Sequence, residues 1–111
     1  MTFLIQKKNE IDKIISEKIK GKKLIFTEYY KFGLLQKGIE HKKVLEIFPQ
    51  FEKVFEIERE ILKYGDVGYE LFYRFSNNSY FSIATCPREK NVLIIHAVEY
   101  KRNLEKRFKK R

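Results

Sequence analysis

Residues 69–85 read YELFYRFSNNSYFSIAT, and this stretch carries the clearest structural signal in the chain. The pattern has a period of two, as in a strand that buries one face. Tyr69, Leu71, Tyr73 and Phe75 alternate with Glu70, Phe72 and Arg74. Residues 76–79 are Ser and Asn, whose side chains bond their own backbone in turns. Residues 80–85 then form a second strand. The stretch predicts a β-hairpin.

Further strands are predicted on either side of this hairpin. In residues 53–61, KVFEIEREI, apolar residues alternate with glutamates, and this period of two favours a half-buried strand. Residues 92–98, VLIIHAV, are nearly all apolar, as in a central strand covered on both faces. Together with the hairpin, these segments predict a four-stranded antiparallel sheet.

The first half of the chain predicts helices. Residues 7–20 place their apolar side chains on one helical stripe, formed by Ile11, Ile14, Ile15 and Ile19. A short extended run over residues 24–26 leads to Thr27, a favourable helix N-cap. Two short helices are predicted next, over residues 28–37 and 40–48, separated by Gly38 and closed by Pro49.

This order predicts a single α+β domain over residues 1–111, with N-terminal helices packed on the four-stranded antiparallel sheet. Residues 1–23 form an extra N-terminal helix, residues 24–100 form the core, and residues 101–111 form a basic C-terminal helix or tail. The 111 residues are 43% hydrophobic, which is enough for one core.

Length and composition also predict the compartment. No apolar run approaches the ~18 residues of a membrane-spanning helix, and the start of the chain does not read as a secretory signal. A single cysteine excludes a disulfide framework within the chain. We therefore expect a cytoplasmic protein without membrane contact.

The net charge of +9 is concentrated at the two ends of the chain. Residues 1–23 hold seven lysines against three acids, whereas residues 24–100 hold ten basic and eleven acidic residues. Residues 101–111 hold seven basic residues and one acid. This distribution predicts binding to a polyanion, most simply RNA or DNA. The alternative is a surface network of charges such as proteins of hyperthermophiles carry.

Basic and aromatic side chains near the predicted sheet are the candidates for RNA contact and chemistry. Metal-independent RNA cleavage needs a base, an acid and a cation around the attacking 2′-hydroxyl. We assign catalysis to His96, Tyr100 and Arg88. The side chains expected to bind nucleic acid are Arg74, Tyr80, Lys90, Lys101, Arg102, Arg107, Lys109, Lys110 and Arg111. For His96, the alternative is a hydrogen-bonded histidine inside the core.

Metal and cofactor chemistry is not expected. His41, His96 and Cys86 lack the paired spacing of a zinc site, and no glycine-rich phosphate loop is present. Cys86 is expected to be a packed thiol rather than a nucleophile. A row of carboxylates, formed by Glu56, Glu58 and Glu60, falls on one strand face and fits either a magnesium site or a solvated strand face.

The helix pair over residues 27–48 also fits a helix-turn-helix that reads DNA with its second helix. Its available side chains are Glu40, His41, Lys42, Lys43 and Glu46. Two of the five are acidic, which disfavours insertion beside phosphates.

Several short signals occur in the order of a known family. They are Leu24-Ile25-Phe26-Thr27, Gly38-Ile39, a helix ending near Pro49, and Leu93-Ile94-Ile95-His96-Ala97. Over residues 24–100 this layout resembles DUF4258-type domains, relatives of the RelE/ParE and BrnT toxins. The chain has Tyr29 and Tyr30 where that family usually has a histidine, and Lys37 where it commonly has an arginine.

The resemblance implies a RelE-like fold, endoribonuclease activity of the mRNA interferase type, ribosome-associated RNA as target and an acidic antitoxin as partner. RelE-like toxins use scattered Arg, Lys and Tyr residues, matched here by position only at Arg74, Arg88, Lys90 and Tyr100. The leading hypothesis is an RNA-binding, RelE-like toxin-type domain with metal-independent endoribonuclease activity. The alternatives are a non-enzymatic, transcriptional nucleic-acid-binding module and an interaction protein that docks an acidic partner.

Overall fold

The N-terminal half alternates short strands with helices. The computed structural model describes residues 2–109, with Lys109 described by its backbone alone. The elements are strand β1 (Thr2–Ile5), helix α1 (Lys8–Ile14) with a π-helical continuation (Ile15–Ile19), strand β2 (Lys23–Phe26), helix α2 (Glu28–Lys37) and helix α3 (His41–Ile47). The predicted helices are confirmed, and Gly38 ends α2 in the left-handed region with a φ of 69°.

The C-terminal half is a meander of four strands followed by one short helix. A 3₁₀ turn over Phe51–Lys53 leads into it. The elements are β3 (Val54–Ile61), β4 (Val67–Ser76), β5 (Ser79–Pro87), β6 (Asn91–Tyr100) and helix α4 (Glu105–Lys109). The predicted hairpin is the β4–β5 pair, in which Tyr73 lies opposite Phe81.

The sheet has six strands in the order β1-β3-β4-β5-β6-β2, so the predicted four-stranded antiparallel sheet is incomplete. β1 adds an antiparallel edge beside β3, and β2 adds a parallel edge beside β6. The fold is therefore α+β with a mixed, mostly antiparallel sheet. The extended run predicted over residues 24–26 is confirmed as part of β2, whereas β1 lies in the segment predicted as an N-terminal helix. Each strand is four residues long, too short to show a period of two.

Helices α1, α2 and α3 cover one side of the sheet, which we call the first face. The isoleucines predicted to form a stripe on α1 and its continuation pack there against Ile57, Leu71 and Ile83 of the central strands. The hydroxyl of Tyr73 donates to the Phe48 carbonyl at 2.7 Å, which ties the end of α3 to β4. Burial raises the pKa of Tyr73, so this hydroxyl stays protonated.

Helix α4 covers half of the opposite side, which we call the second face. Leu104 and Phe108 are buried there against Phe72 and Tyr80. The Phe108 ring lies 5.1 Å from the Phe72 ring and 5.4 Å from the Phe55 ring, both edge to face. Burying Phe108, and Leu104 just before the helix, contributes about 1.5–3 kcal/mol for each side chain. The other half of the second face is open. None of the helices in the described part of the chain is long and apolar enough to cross a bilayer.

Candidate functional site

A pocket of about 230 Å³ occupies the open half of the second face. The register of β4, β5 and β6 explains why a pocket forms there. Ala84 on β5 lies between Glu70 on β4 and His96 on β6, and its small side chain leaves room between the two larger ones. The pocket is lined by these residues together with Tyr29, Glu58, Glu60, Leu62, Gly68, Tyr69, Thr85 and Ile95.

A β-bulge in β6 turns His96 toward this pocket. Ala84 pairs with His96 but Thr85 pairs with Ile94, so Ile95 is an extra residue without a partner on β5. A bulge breaks strict alternation and re-aims neighbouring side chains. Ile95 and His96 consequently both line the pocket although they are adjacent in sequence.

Thr27 fixes the start of α2 next to the bulge. Its hydroxyl accepts from the Tyr30 amide at 3.0 Å, as an N-cap does, and donates to the Ile94 carbonyl at 3.1 Å. This anchor holds the first turn of α2 at the pocket rim. Tyr29, in that turn, has 68% of its surface exposed and presents an aromatic ring beside the opening.

The pocket is acidic although the protein is basic. Glu58 and Glu70 lie directly opposite each other on β3 and β4, and like charges in this position repel. The Arg107 guanidinium of α4 lies 3.6 Å from the Glu58 carboxylate and offsets part of the repulsion. Glu60 adds a third carboxylate to the wall.

His96 is half-buried in this acidic setting. Burial lowers its pKa below the ordinary 6.5, Glu70 and Glu60 counteract the shift, and Lys37 on α2 adds to it. Its Nδ1 is buried and has no hydrogen-bond partner among residues 2–109. The alternative interpretation, a hydrogen-bonded core histidine, does not describe this side chain.

The lowered pKa of His96 predicts a stability that depends on pH. The folded state favours the neutral imidazole, so the stabilisation is complete above pH 6.5 and is lost as pH falls through the folded-state pKa. We expect the unfolding free energy of the wild type to fall more between pH 7.5 and 5.5 than that of His96→Gln, measured by urea denaturation. This range lies above the ordinary pKa of glutamate. Equal pH dependence in both proteins would contradict the expectation.

A basic cluster lies at the end of the sheet where β6 begins, and we call it the loop cluster. Parallel pairing sets Lys23 of β2 beside Asn91, and the Lys22 ammonium donates to the Arg88 carbonyl at 2.6 Å. The cluster comprises Lys22, Lys23, Arg88 and Lys90. Two acids accompany it: Asp66, 3.2 Å from the Arg88 guanidinium, and the exposed Glu89.

A second basic cluster lies where β6 ends, and we call it the tail cluster. It comprises Arg74, Lys101, Arg102, Lys106 and Arg107. The Arg102 guanidinium lies 5.9 Å from the Tyr100 ring centre, and the Arg74 guanidinium lies 5.9 Å from that of Tyr80. Arg74 also pairs with Glu105 at 3.4 Å.

The residues assigned from sequence therefore lie in separate parts of the structure. Arg74, Tyr80 and Tyr100 form one cross-strand row on the second face. His96 is four residues from Tyr100 along β6, about 13 Å, and Arg88 lies in the loop beyond the opposite end of that strand. The three residues assigned to catalysis do not meet in one cleft. Tyr80 is 1% exposed beneath α4, and Lys90 belongs to the loop cluster.

The remaining residues assigned to nucleic-acid binding lie in the last eleven positions of the chain. Lys101, Arg102 and Arg107 belong to the tail cluster. Lys110 and Arg111, and the side chain of Lys109, lie outside the described residues.

The described residues form no metal site. Within residues 2–109, no three His, Cys, Asp or Glu side chains are arranged to hold a metal ion. The carboxylate row of β3 shares one face, as its spacing predicts. The alternative of a solvated strand face is wrong for Glu56 and Glu58, which are buried. Cys86 is a buried free thiol, as expected.

Comparison of the chain with protein-family models, curated proteins and solved structures finds no match. The resemblance to DUF4258-type and RelE-like domains therefore stays a prediction.

Sequence reasoning missed three parts of this surface. Glu70 and Tyr29, which line the pocket, are not among the residues assigned from sequence. Lys22 and Lys23 were counted as part of a separate N-terminal charge excess. The available signal was the alternation in β4, which places Glu70 two residues from Phe72 on the same face.

Proposed function

We propose that this protein binds single-stranded RNA across the second face of its sheet, between the loop cluster and the tail cluster. The observation that carries the proposal is the parallel pairing of β2 with β6. It joins two basic segments that are more than sixty residues apart in the chain, as the Lys22–Arg88 contact shows. Single-strand binding surfaces combine cationic sites for the backbone with aromatic rings for the bases.

The distribution of charge indicates that different parts of this surface bind different parts of the RNA. β6 spans ten residues, so the two clusters lie about 30 Å apart with the pocket between them. Carboxylates repel phosphates, so most backbone phosphates are bound at the clusters, and the pocket accepts a ribose or a base edge, with any phosphate that enters it lying on the His96 side. Carboxylates accept hydrogen bonds from hydroxyl and amino groups. Tyr29 at the rim provides a ring for stacking.

Charge reversal in the loop cluster tests RNA binding. We expect Lys23→Glu/Lys90→Glu to weaken binding of a labelled single-stranded RNA by about 10- to 100-fold, because two phosphate contacts become repulsive. Affinity also depends less steeply on salt. The negative slope of log affinity against log salt concentration, measured by fluorescence anisotropy, becomes smaller in magnitude by about 1.4.

The matched control carries the same change of charge on the first-face helices. Lys13→Glu/Lys18→Glu alters two exposed lysines of α1 and its continuation. If both double variants lose the same affinity, binding follows net charge rather than the loop cluster, and the proposed surface is wrong.

The pocket favours a second function, cleavage of the bound RNA. Glu70 and His96 flank Ala84 with about 10 Å between their Cα atoms, a spacing that leaves a ribose-sized gap between their side chains. Glu70 accepts the proton of a 2′-hydroxyl, and the 2′-oxygen attacks phosphorus. The bond to the 5′-oxygen breaks as protonated His96 donates a proton to that oxygen. This proposal keeps the RNA target and pairs His96 with Glu70 rather than Tyr100.

Product chemistry and pH test the cleavage. We expect fragments that end in a 2′,3′-cyclic phosphate and begin with a 5′-hydroxyl, formed in the presence of EDTA. The rate falls with rising pH once His96 loses its proton, and since its pKa is lowered, that fall begins below pH 6.5. An RNA that stays intact while bound supports the non-enzymatic alternative.

A further inference from the structure

Two hydroxyl groups on the second face are buried without hydrogen-bond partners among residues 2–109. They are the hydroxyls of Tyr80 and Ser82, whose residues are 1% and 0% exposed. Both lie on β5, two residues apart and on the same face. Tyr80 packs with Leu104 and Phe108 in the small second core, and Ser82 pairs with Phe72 in that core. Buried hydroxyls are normally paired, so this part of the sheet has unused binding capacity.

The attachment of α4 over these hydroxyls involves few side chains. Helix α4 has five residues, too few to be a stable helix alone. The buried side chains that attach it are Phe108 and Leu104, which directly precedes the helix. Among the described residues it makes two ion pairs. Arg74–Glu105 spans 3.4 Å and is partly exposed, where such pairs are weak, whereas Arg107–Glu58 spans 3.6 Å and joins a partly exposed guanidinium to a buried carboxylate.

The surface under α4 continues the proposed RNA surface. The row Arg74, Tyr80 and Tyr100 lies on the same face as Glu70 and His96, with Phe72 and Ser82 in the row between. Departure of α4 exposes two aromatic rings and two hydroxyls, and it frees Arg74 from Glu105. Arg74 keeps its hydrogen bond to the Asn77 side-chain oxygen at 2.8 Å, which holds the guanidinium beside the rings. Aromatic rings beside a guanidinium are what a single-strand surface uses to stack bases and hold phosphates.

We propose that α4 is a displaceable cover, and that the sheet beneath it is a second half of the RNA-binding surface, used once α4 undocks. This inference rests on the proposed binding of RNA to the second face. The docked helix competes with RNA for Phe72, Tyr80 and Arg74. Apparent affinity therefore depends on the fraction of molecules in which α4 is undocked.

Phe108→Ser tests the cover without changing the charge of the tail. We expect it to bind a short fluorescein-labelled single-stranded RNA about 3- to 10-fold more tightly than the wild type. Phe32→Ser, which removes a 61% exposed ring on α2, is the matched control and leaves affinity unchanged. Thermal unfolding of both variants checks that the main core is intact.

Hydrogen exchange of the full chain provides the second readout. We expect the amides of residues 103–109 to exchange faster when RNA binds, while those of the loop cluster exchange more slowly. If the wild type binds RNA but these tail amides become protected, or Phe108→Ser binds more weakly, then α4 stays docked in the complex and the cover is refuted. If neither protein binds RNA, the proposed function itself fails and the cover with it.

Discussion

Replacing Glu70 with Gln is expected to slow RNA cleavage by about 10²- to 10⁴-fold, the usual contribution of a positioned general base. Gln has the size and hydrogen-bonding reach of Glu but cannot accept the proton of the 2′-hydroxyl. RNA affinity changes little or rises, because one repulsive charge opposite Glu58 is removed. Single-turnover kinetics with saturating protein separate the chemical step from binding.

A matched substitution elsewhere separates the role of Glu70 from the loss of a negative charge. Glu46→Gln makes the same chemical change on the exposed surface of α3 and leaves the rate unchanged. Cleavage that persists at the wild-type rate in Glu70→Gln would remove Glu70 from the reaction and leave the pocket without its proposed base.

Replacing Phe81 with Ala is expected to lower the free energy of unfolding by about 3–5 kcal/mol. Phe81 is 1% exposed on β5, faces the first-face core and lies opposite Tyr73. Removing its ring leaves a cavity in the middle of the sheet, which the paired strands cannot close. Since domains of this size have a total stability of about 5–15 kcal/mol, the loss is visible as a large drop in the urea midpoint.

Phe32→Ala is the control for that measurement. Its ring is mostly exposed on α2, so the same truncation costs no more than about 0.5 kcal/mol. Similar losses in the two variants would mean that the core does not have the composition described here.

Local patterns in the sequence predict the elements that depend on neighbouring residues. The β4–β5 hairpin follows from alternation around the SNNS turn, and α2 follows from Thr27 and Gly38 at its ends. The backbone of Asn77 and Asn78 is ordinary, however, since glycines are the residues with positive φ in the described part of the chain. The turn is held instead by the Ser76 hydroxyl, which accepts from the Asn78 amide at 3.4 Å, and by the Asn77 side-chain oxygen, which accepts from the Arg74 guanidinium at 2.8 Å.

Elements set by distant pairing were not predictable in the same way. β1 and β2 are four-residue edges whose place depends on β3 and β6. The parallel contact between β2 and β6 decides that Lys22 lies beside Arg88, and nothing near either residue indicates it. Charge counts along the chain identified basic ends but not which of their side chains meet.

The candidate site was predictable only in part. The period of β3 correctly placed Glu56, Glu58 and Glu60 on one face. The position of His96 was obscured because Ile95 forms a bulge, so strict alternation assigns its neighbours to the wrong sides. The pocket also depends on Ala84, whose small size matters only because Glu70 and His96 lie on either side of it.

Photo-crosslinking of a 4-thiouridine-labelled single-stranded RNA, followed by mapping of the modified peptides, tests the central claim most directly. We predict crosslinks on the second face and its rim, at Tyr29, His96 and Tyr100, with none on the outer surfaces of α1 and α3. Crosslinks confined to those helices, with the second face unmodified, would contradict the account.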